Sequence, residues 1–99
     1  MSIPIQIDPA YAATFCQAHH VRKLSLFGSV LTDQFSDASD VDVLVEFEPG
    51  QSPDYIELMR MQHALSEHVG RAVDLRTPNE LSRYFRDQVI ATALVQYAA

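Results

Sequence analysis

The stretch Asp40-Val41-Asp42-Val43-Leu44-Val45-Glu46-Phe47-Glu48 constrains the fold more than any other part of the chain. Its odd positions are all apolar, and every even position except Leu44 carries an acid. Side chains alternate faces along an extended strand, whereas a helix would scatter these acids around its axis. The β-branched content also favours a strand. One face is therefore buried, and the other, partly open, carries Asp40 and Asp42. The segment at 72–76 divides in the same way. Val73 and Leu75 fall on one side; Ala72, Asp74 and Arg76 fall on the other. The simplest solution is a small sheet with helices packed on one face and Asp40, Asp42 and Asp74 on the opposite one.

Helix and turn signals fill in the rest. Asp8-Pro9 reads as an N-cap and first helical position, and predicts a helix from 9 to about 19 with Tyr11, Phe15 and Ala18 on one side. Residues 3–7 alternate around Pro4 and predict an extended arm or edge strand. Residues 24–27 form an apolar run that stops at Gly28-Ser29, a strand ending in a tight turn. Residues 30–35 predict one or two helical turns, and 36–39 a loop. Ser52-Pro53-Asp54 opens a second helix that Gly70 ends, with Leu58, Met61, Leu65 and Val69 as its buried stripe. Residues 72–75 are a third strand. Thr77-Pro78-Asn79-Glu80 is a capping-box signature and predicts a third long helix. Residues 94–97 fit either its extension or a short returning strand.

Length and charge narrow the function. Ninety-nine residues suit one domain, 1–99. The net charge of −6 and pI near 4.9 argue against direct nucleic-acid binding, which needs a basic face. One cysteine excludes an internal disulfide and a cysteine-based zinc site. No apolar run is long enough for a membrane span, and Met1 to Ala10 lacks the pattern of a secretory signal, so the cytoplasm is the expected location.

Asp40 and Asp42 project side by side from one strand face, and such carboxylates repel unless a cation sits between them. Oxygen-only donors favour Mg2+ or Mn2+. A third acid from a neighbouring strand would complete a two-metal site, with ions about 3.5–4 Å apart. Gly28-Ser29 precedes Asp40-x-Asp42 by ten residues. That combination arises by chance in on the order of one in a thousand chains of this length. Glycine permits close backbone approach to a phosphate. The serine hydroxyl and the amides that follow can hold phosphate oxygens.

With Leu26-Phe27-Gly28-Ser29, Ser39-Asp40-Val41-Asp42-Val43-Leu44-Val45-Glu46-Phe47 and Val73-Asp74-Leu75 in place, the chain resembles the minimal nucleotidyltransferases of the polymerase-beta superfamily. The resemblance runs from about Arg22 to near the C-terminus. It implies an α+β palm-like fold, a small mixed β-sheet with helices packed on one face. It implies two Mg2+ (or Mn2+) ions held by Asp40, Asp42 and Asp74, with Asp74 also helping to deprotonate an acceptor hydroxyl. It implies that Gly28 and Ser29 bind the triphosphate of ATP. Small stand-alone members resemble antitoxins that transfer AMP from ATP to a tyrosine of a HEPN-domain ribonuclease toxin. Relatives often carry an Arg within the helix after Gly-Ser. Here the run Gly28-Ser29-Val30-Leu31-Thr32-Asp33 has no basic residue, and Arg76 and Lys23 are the candidate replacements.

Three functions are therefore in competition: transfer of AMP to the toxin, an antitoxin that acts by contact alone, and a nucleotidyltransferase for a small molecule or RNA end. The remaining chemistry-bearing residues have plainer readings. His63 and His68 are five apart, a poor metal spacing, and like His19-His20 they suit a solvated face or a helix end. Cys16 reads as a small core residue, and Met59 and Met61 as core or interface filler. Glu46 and Glu48 read as rim. Tyr84, Phe85, Ile90, Leu94 and Tyr97 supply apolar bulk for the core or for a partner surface.

Overall fold

The computed structural model describes residues 5, 7–32, 35, 36 and 38–99. Most of the arm expected at 3–7, and positions 33 and 34 of the expected helical stretch, lie outside these residues. The described elements are α1 (Pro9–Ala18), β1 (Val21–Phe27), a 3-10 turn (Gly28–Leu31), β2 (Val41–Phe47), α2 (Tyr55–Val69), β3 (Val73–Arg76), a second 3-10 turn (Pro78–Glu80), α3 (Arg86–Thr92) and β4 (Leu94–Ala98).

Local chemistry accounts for the helix ends. The Asp8 carboxylate accepts from the Ala10 amide at 3.0 Å, with Pro9 opening α1. The Asp54 carboxylate accepts from the Glu57 amide at 2.8 Å at the start of α2. Gly70 closes α2 in the left-handed region.

The sheet runs β3-β2-β1-β4. β1 is antiparallel to both β2 and β4, while β2 and β3 are parallel, so the sheet is mixed. A parallel pair needs a crossover, and α2 supplies it. Leu24 and Leu26 of β1, Val41, Val43 and Val45 of β2, and Val73 and Leu75 of β3 share one core with Ala12, Phe15 and Cys16 of α1 and Met61 and Leu65 of α2. Leu58 and Val69 pack beside it, so the stripe expected on α2 is the buried one. On α1 the buried set is Ala12, Phe15 and Cys16, an i, i+3, i+4 stripe, and Ala18 is exposed.

The long third helix does not form. The Glu80 carboxylate does reach back to the Thr77 amide at 3.1 Å, but the helix ends after one 3-10 turn. Arg86 explains the break: its Nε donates to the Pro78 carbonyl at 2.8 Å and its Nη2 to the Leu81 carbonyl at 3.1 Å. Those contacts satisfy backbone acceptors that a continuing helix would have used. Residues 94–98 then return as β4, with Leu24 opposite Tyr97 and Ser25 opposite Val95. Pairing along β1 covers what would otherwise be an open sheet edge. The acid-bearing face is also less bare than its sequence suggests, because Leu44 and Ser25, opposite each other in register, are both about 1% exposed.

Candidate active site

Asp42 sits at the centre of the acid-bearing face. Phe27, the last residue of β1, is its antiparallel partner, and Asp74 of β3 is its parallel partner. Asp40 lies two residues earlier, just before β2 begins. The chain turns at Gly28 with φ 77°, a conformation that disfavours any residue with a side chain. Space imposes the same restriction, because a Cβ at Gly28 would run into the Asp42 carboxylate. The turn after it is fixed from within: the Thr32 amide and hydroxyl both donate to the Ser29 carbonyl at 2.9 Å.

The electrostatics bind the three acids into one unit. Partial burial pushes the Asp42 carboxyl above the ordinary carboxylate range, and the neighbouring charges of Asp74 and then Asp40 push it further. Arg76 acts in the opposite sense. Its Nε lies 3.1 Å from Asp74 Oδ1, and its Nη1 lies 3.7 Å from Glu80 Oε2. The hydrogen bond to Asp74 is the main reason that the Arg76 guanidinium holds its proton more firmly than usual. With both side chains well exposed to water, the Asp74–Arg76 pair contributes at most about 1 kcal/mol.

A second arginine braces the approach to Asp40. Arg71 Nη2 donates to the carbonyls of Ser36 and Ser39, the latter at 2.9 Å, and its guanidinium lies 4.4 Å from the centre of the Phe35 ring. The Val41 amide donates to the Ala72 carbonyl at 2.9 Å. The loop leading into Asp40 is thus tied to the strand that carries Asp74. Nothing in the local sequence signals this brace, because its partners are backbone carbonyls more than thirty residues away. The same alternation that selected Asp74 places Arg76 on its face.

The donor set suits a hard divalent cation. It is all oxygen, it carries mutually repelling charge, and the Asp42 carboxylate lies directly against the bare Gly28 backbone. Among the described residues, however, no three His, Cys, Asp or Glu side chains converge closely enough to grip an ion as they stand. Asp74 is turned towards Arg76 instead.

Other candidates fall where their plainer readings put them. His63 pairs with Glu67 at 2.7 Å on an exposed helix face, and His19 with Glu57 at 3.3 Å. His68 stacks on Tyr11 with ring centres 3.8 Å apart, a contact the sequence does not signal. Cys16 is fully buried, and burial pushes its thiol up to about 12. Glu46 faces Arg22 at 3.7 Å, at the rim. Lys23 is opposite Glu46, four residues before Phe27. At the rise of a strand that is roughly 13 Å from the acids. Of the terminal apolar residues, Tyr97 packs on the core, while Tyr84 and Phe85 are 79% and 61% exposed. Phe85 lines a cleft of about 750 Å³ that reaches Phe27, Gly28 and Leu31.

Comparison with known proteins identifies the family and the fold. The family model for the nucleotidyltransferase domain matches residues 11–96. A Methanocaldococcus jannaschii chain, provisionally named a protein adenylyltransferase, is 34% identical over 76 residues, covering 77% of this chain and 80% of its own. A solved minimal nucleotidyltransferase superposes with a TM-score of 0.71 at 29% identity, covering 87% of this chain and 86% of its own. The MNT antitoxin complex with a tri-AMPylated HEPN toxin from Shewanella oneidensis gives a TM-score of 0.65 at 18% identity, covering 92% and 70%, and that likeness is one of fold. The mixed four-stranded sheet with its helices matches the fold of these neighbours, and the chain is a member of the nucleotidyltransferase family.

Proposed function

We propose that the protein transfers AMP from ATP to a tyrosine hydroxyl of a HEPN ribonuclease toxin and so acts as its antitoxin. The observation that carries this reading is the Gly28 turn lying over Asp42, which is itself paired in register with Asp74. The names of the similar proteins support the reaction class and the kind of partner.

Asp40, Asp42 and Asp74 would hold two Mg2+ or Mn2+ ions. When bound, such ions neutralise phosphate charge and lower the pKa of a coordinated hydroxyl. Gly28 lets the triphosphate approach the backbone, and Ser29 donates to its oxygens. The tyrosine oxygen forms a bond to the α-phosphorus of ATP. The bond from that phosphorus to the oxygen bridging to the β-phosphorus breaks, and pyrophosphate leaves with the electron pair. The Asp74 carboxylate takes up the phenol proton. The rest of the work is positioning and electrostatics, as in phosphoryl transfer generally.

The test is to incubate the protein with Mg2+, a cognate HEPN chain and ATP labelled at either the α- or the γ-phosphate. Label on the HEPN chain from the α-position alone is the expected result. Label from neither position rejects the proposal. The Asp74–Arg76 pair favours a second reading, an antitoxin that works by contact with a weak site. In that case neutralisation of the toxin would survive the double substitution Asp40→Ala/Asp42→Ala.

A further inference from the structure

We propose that Arg76 is an exchangeable cation of this site: it holds Asp74 until a divalent ion takes that carboxylate, and the released guanidinium then binds phosphate oxygens of the nucleotide. The inference rests on the nucleotide-transfer reading above and adds a residue and a sequence of events to it.

Four observations carry it. First, Arg76 follows Asp74 by two residues on the same strand, so it projects from the acid-bearing face. Its register partner is Leu44, two residues from Asp42, so it stays beside the acids. Second, its guanidinium already contacts Asp74 Oδ1 at 3.1 Å. Third, the pair is weakly held. Both side chains are well exposed, 46% for Arg76 and 35% for Asp74, so a divalent ion with several oxygen ligands outcompetes a single guanidinium for the carboxylate. Fourth, Arg71, which braces the chain ahead of Asp40, is already engaged by the Ser36 and Ser39 carbonyls. The Gly28–Leu31 turn carries no basic residue, and Lys23 stands at the far end of β1. A guanidinium presents a planar fork of donors matched to phosphate oxygens. Glu80, 3.7 Å from Nη1, is a second contact available to Arg76 once Asp74 is taken.

The proposal requires opposite effects on the two ligands. If Arg76 competes with the metal, removing it tightens metal binding in the absence of nucleotide. If it then serves the phosphates, removing it weakens nucleotide binding once metal is present. Measure Mn2+ binding by electron paramagnetic resonance for the wild type, Arg76→Gln and Arg76→Lys. Then measure binding of a non-hydrolysable ATP analogue at saturating Mn2+, by calorimetry. For Arg76→Gln the expectation is Mn2+ binding about two- to fivefold tighter and nucleotide binding roughly tenfold weaker. Arg76→Lys should recover part of the nucleotide affinity, because it restores the charge without the fork. Unchanged or weaker Mn2+ binding in Arg76→Gln, or unchanged nucleotide binding, overturns the proposal. The transfer assay above separates its fate from that of the function. Opposite shifts without any AMP transfer would uphold the role of Arg76 and reject the function. Transfer with no shift in Arg76→Gln would do the reverse. A wild type that binds no Mn2+ rejects both.

Discussion

At Gly28 a single hydrogen atom, in place of a side chain, leaves room for the Asp42 carboxylate. Gly28→Ala imposes both a left-handed backbone penalty of about 1–2 kcal/mol and a collision with Asp42. Chemical denaturation should show that loss, and Mn2+ affinity should fall with it. Asp42→Asn should do something less intuitive. Asp42 titrates higher in the fold than in the unfolded chain, chiefly through burial and then through Asp74 and Asp40. As pH rises above the ordinary carboxylate range the unfolded chain gives up this proton first, so the fold loses stability with rising pH. Without metal, Asp42→Asn should melt a few degrees higher than wild type at neutral pH. The difference should vanish at a pH below the ordinary carboxylate range. A melting temperature unchanged or lowered at neutral pH would contradict this electrostatic picture. Such a gain in stability with loss of function is expected of charge crowded for chemistry. These residues are legible in the sequence because a period-two pattern and a fixed spacing are local properties. The Asp74–Arg76 ion pair is not, because alternation gives a face and leaves rotamers open.

Among the elements, residues 35, 36, 38 and 39 are the chain that leads into Asp40. Arg71 spans the Ser36 and Ser39 carbonyls and stacks on Phe35, and Ser39 Oγ accepts from the Ser36 amide at 3.0 Å. Arg71→Ala should therefore raise amide exchange in this loop and weaken Mn2+ binding. The melting temperature should fall by less than for a core truncation such as Leu26→Ala, whose cost is about 2–5 kcal/mol. Hydrogen exchange and calorimetry on the same samples check both. Loop exchange equal to wild type would remove the brace from the account. Strands β1 to β3 and helix α2 were readable because each has its own periodicity or caps. The expected long third helix is absent because Thr77-Pro78-Asn79-Glu80 satisfies a helix-start signature that a single 3-10 turn also satisfies. The decision was made by Arg86 and by pairing of β4 with β1, both outside any local window.

For the whole molecule, the net charge of −6 acquires a location. Part of it is concentrated where Asp42 adjoins Asp74 and Asp40, and a ligand that binds only the native state raises stability by mass action. Saturating Mg2+ should raise the melting temperature of the wild type at neutral pH, by an amount equivalent to about 2.7 kcal/mol at a hundredfold excess over Kd. Asp40→Ala/Asp42→Ala should abolish most of that rise. An equal rise in the double variant would place the ion elsewhere. The described elements form the sheet, its helical cover and the glycine turn, and the acceptor side chain belongs to a second chain in the proposed function. The most direct test is therefore the mass of that second chain. A HEPN toxin incubated with this protein, ATP and Mg2+ should gain one or more AMP units on a tyrosine-containing peptide, and should gain none with Asp40→Ala/Asp42→Ala. An unmodified toxin, or equal modification by the double variant, would contradict the central claim.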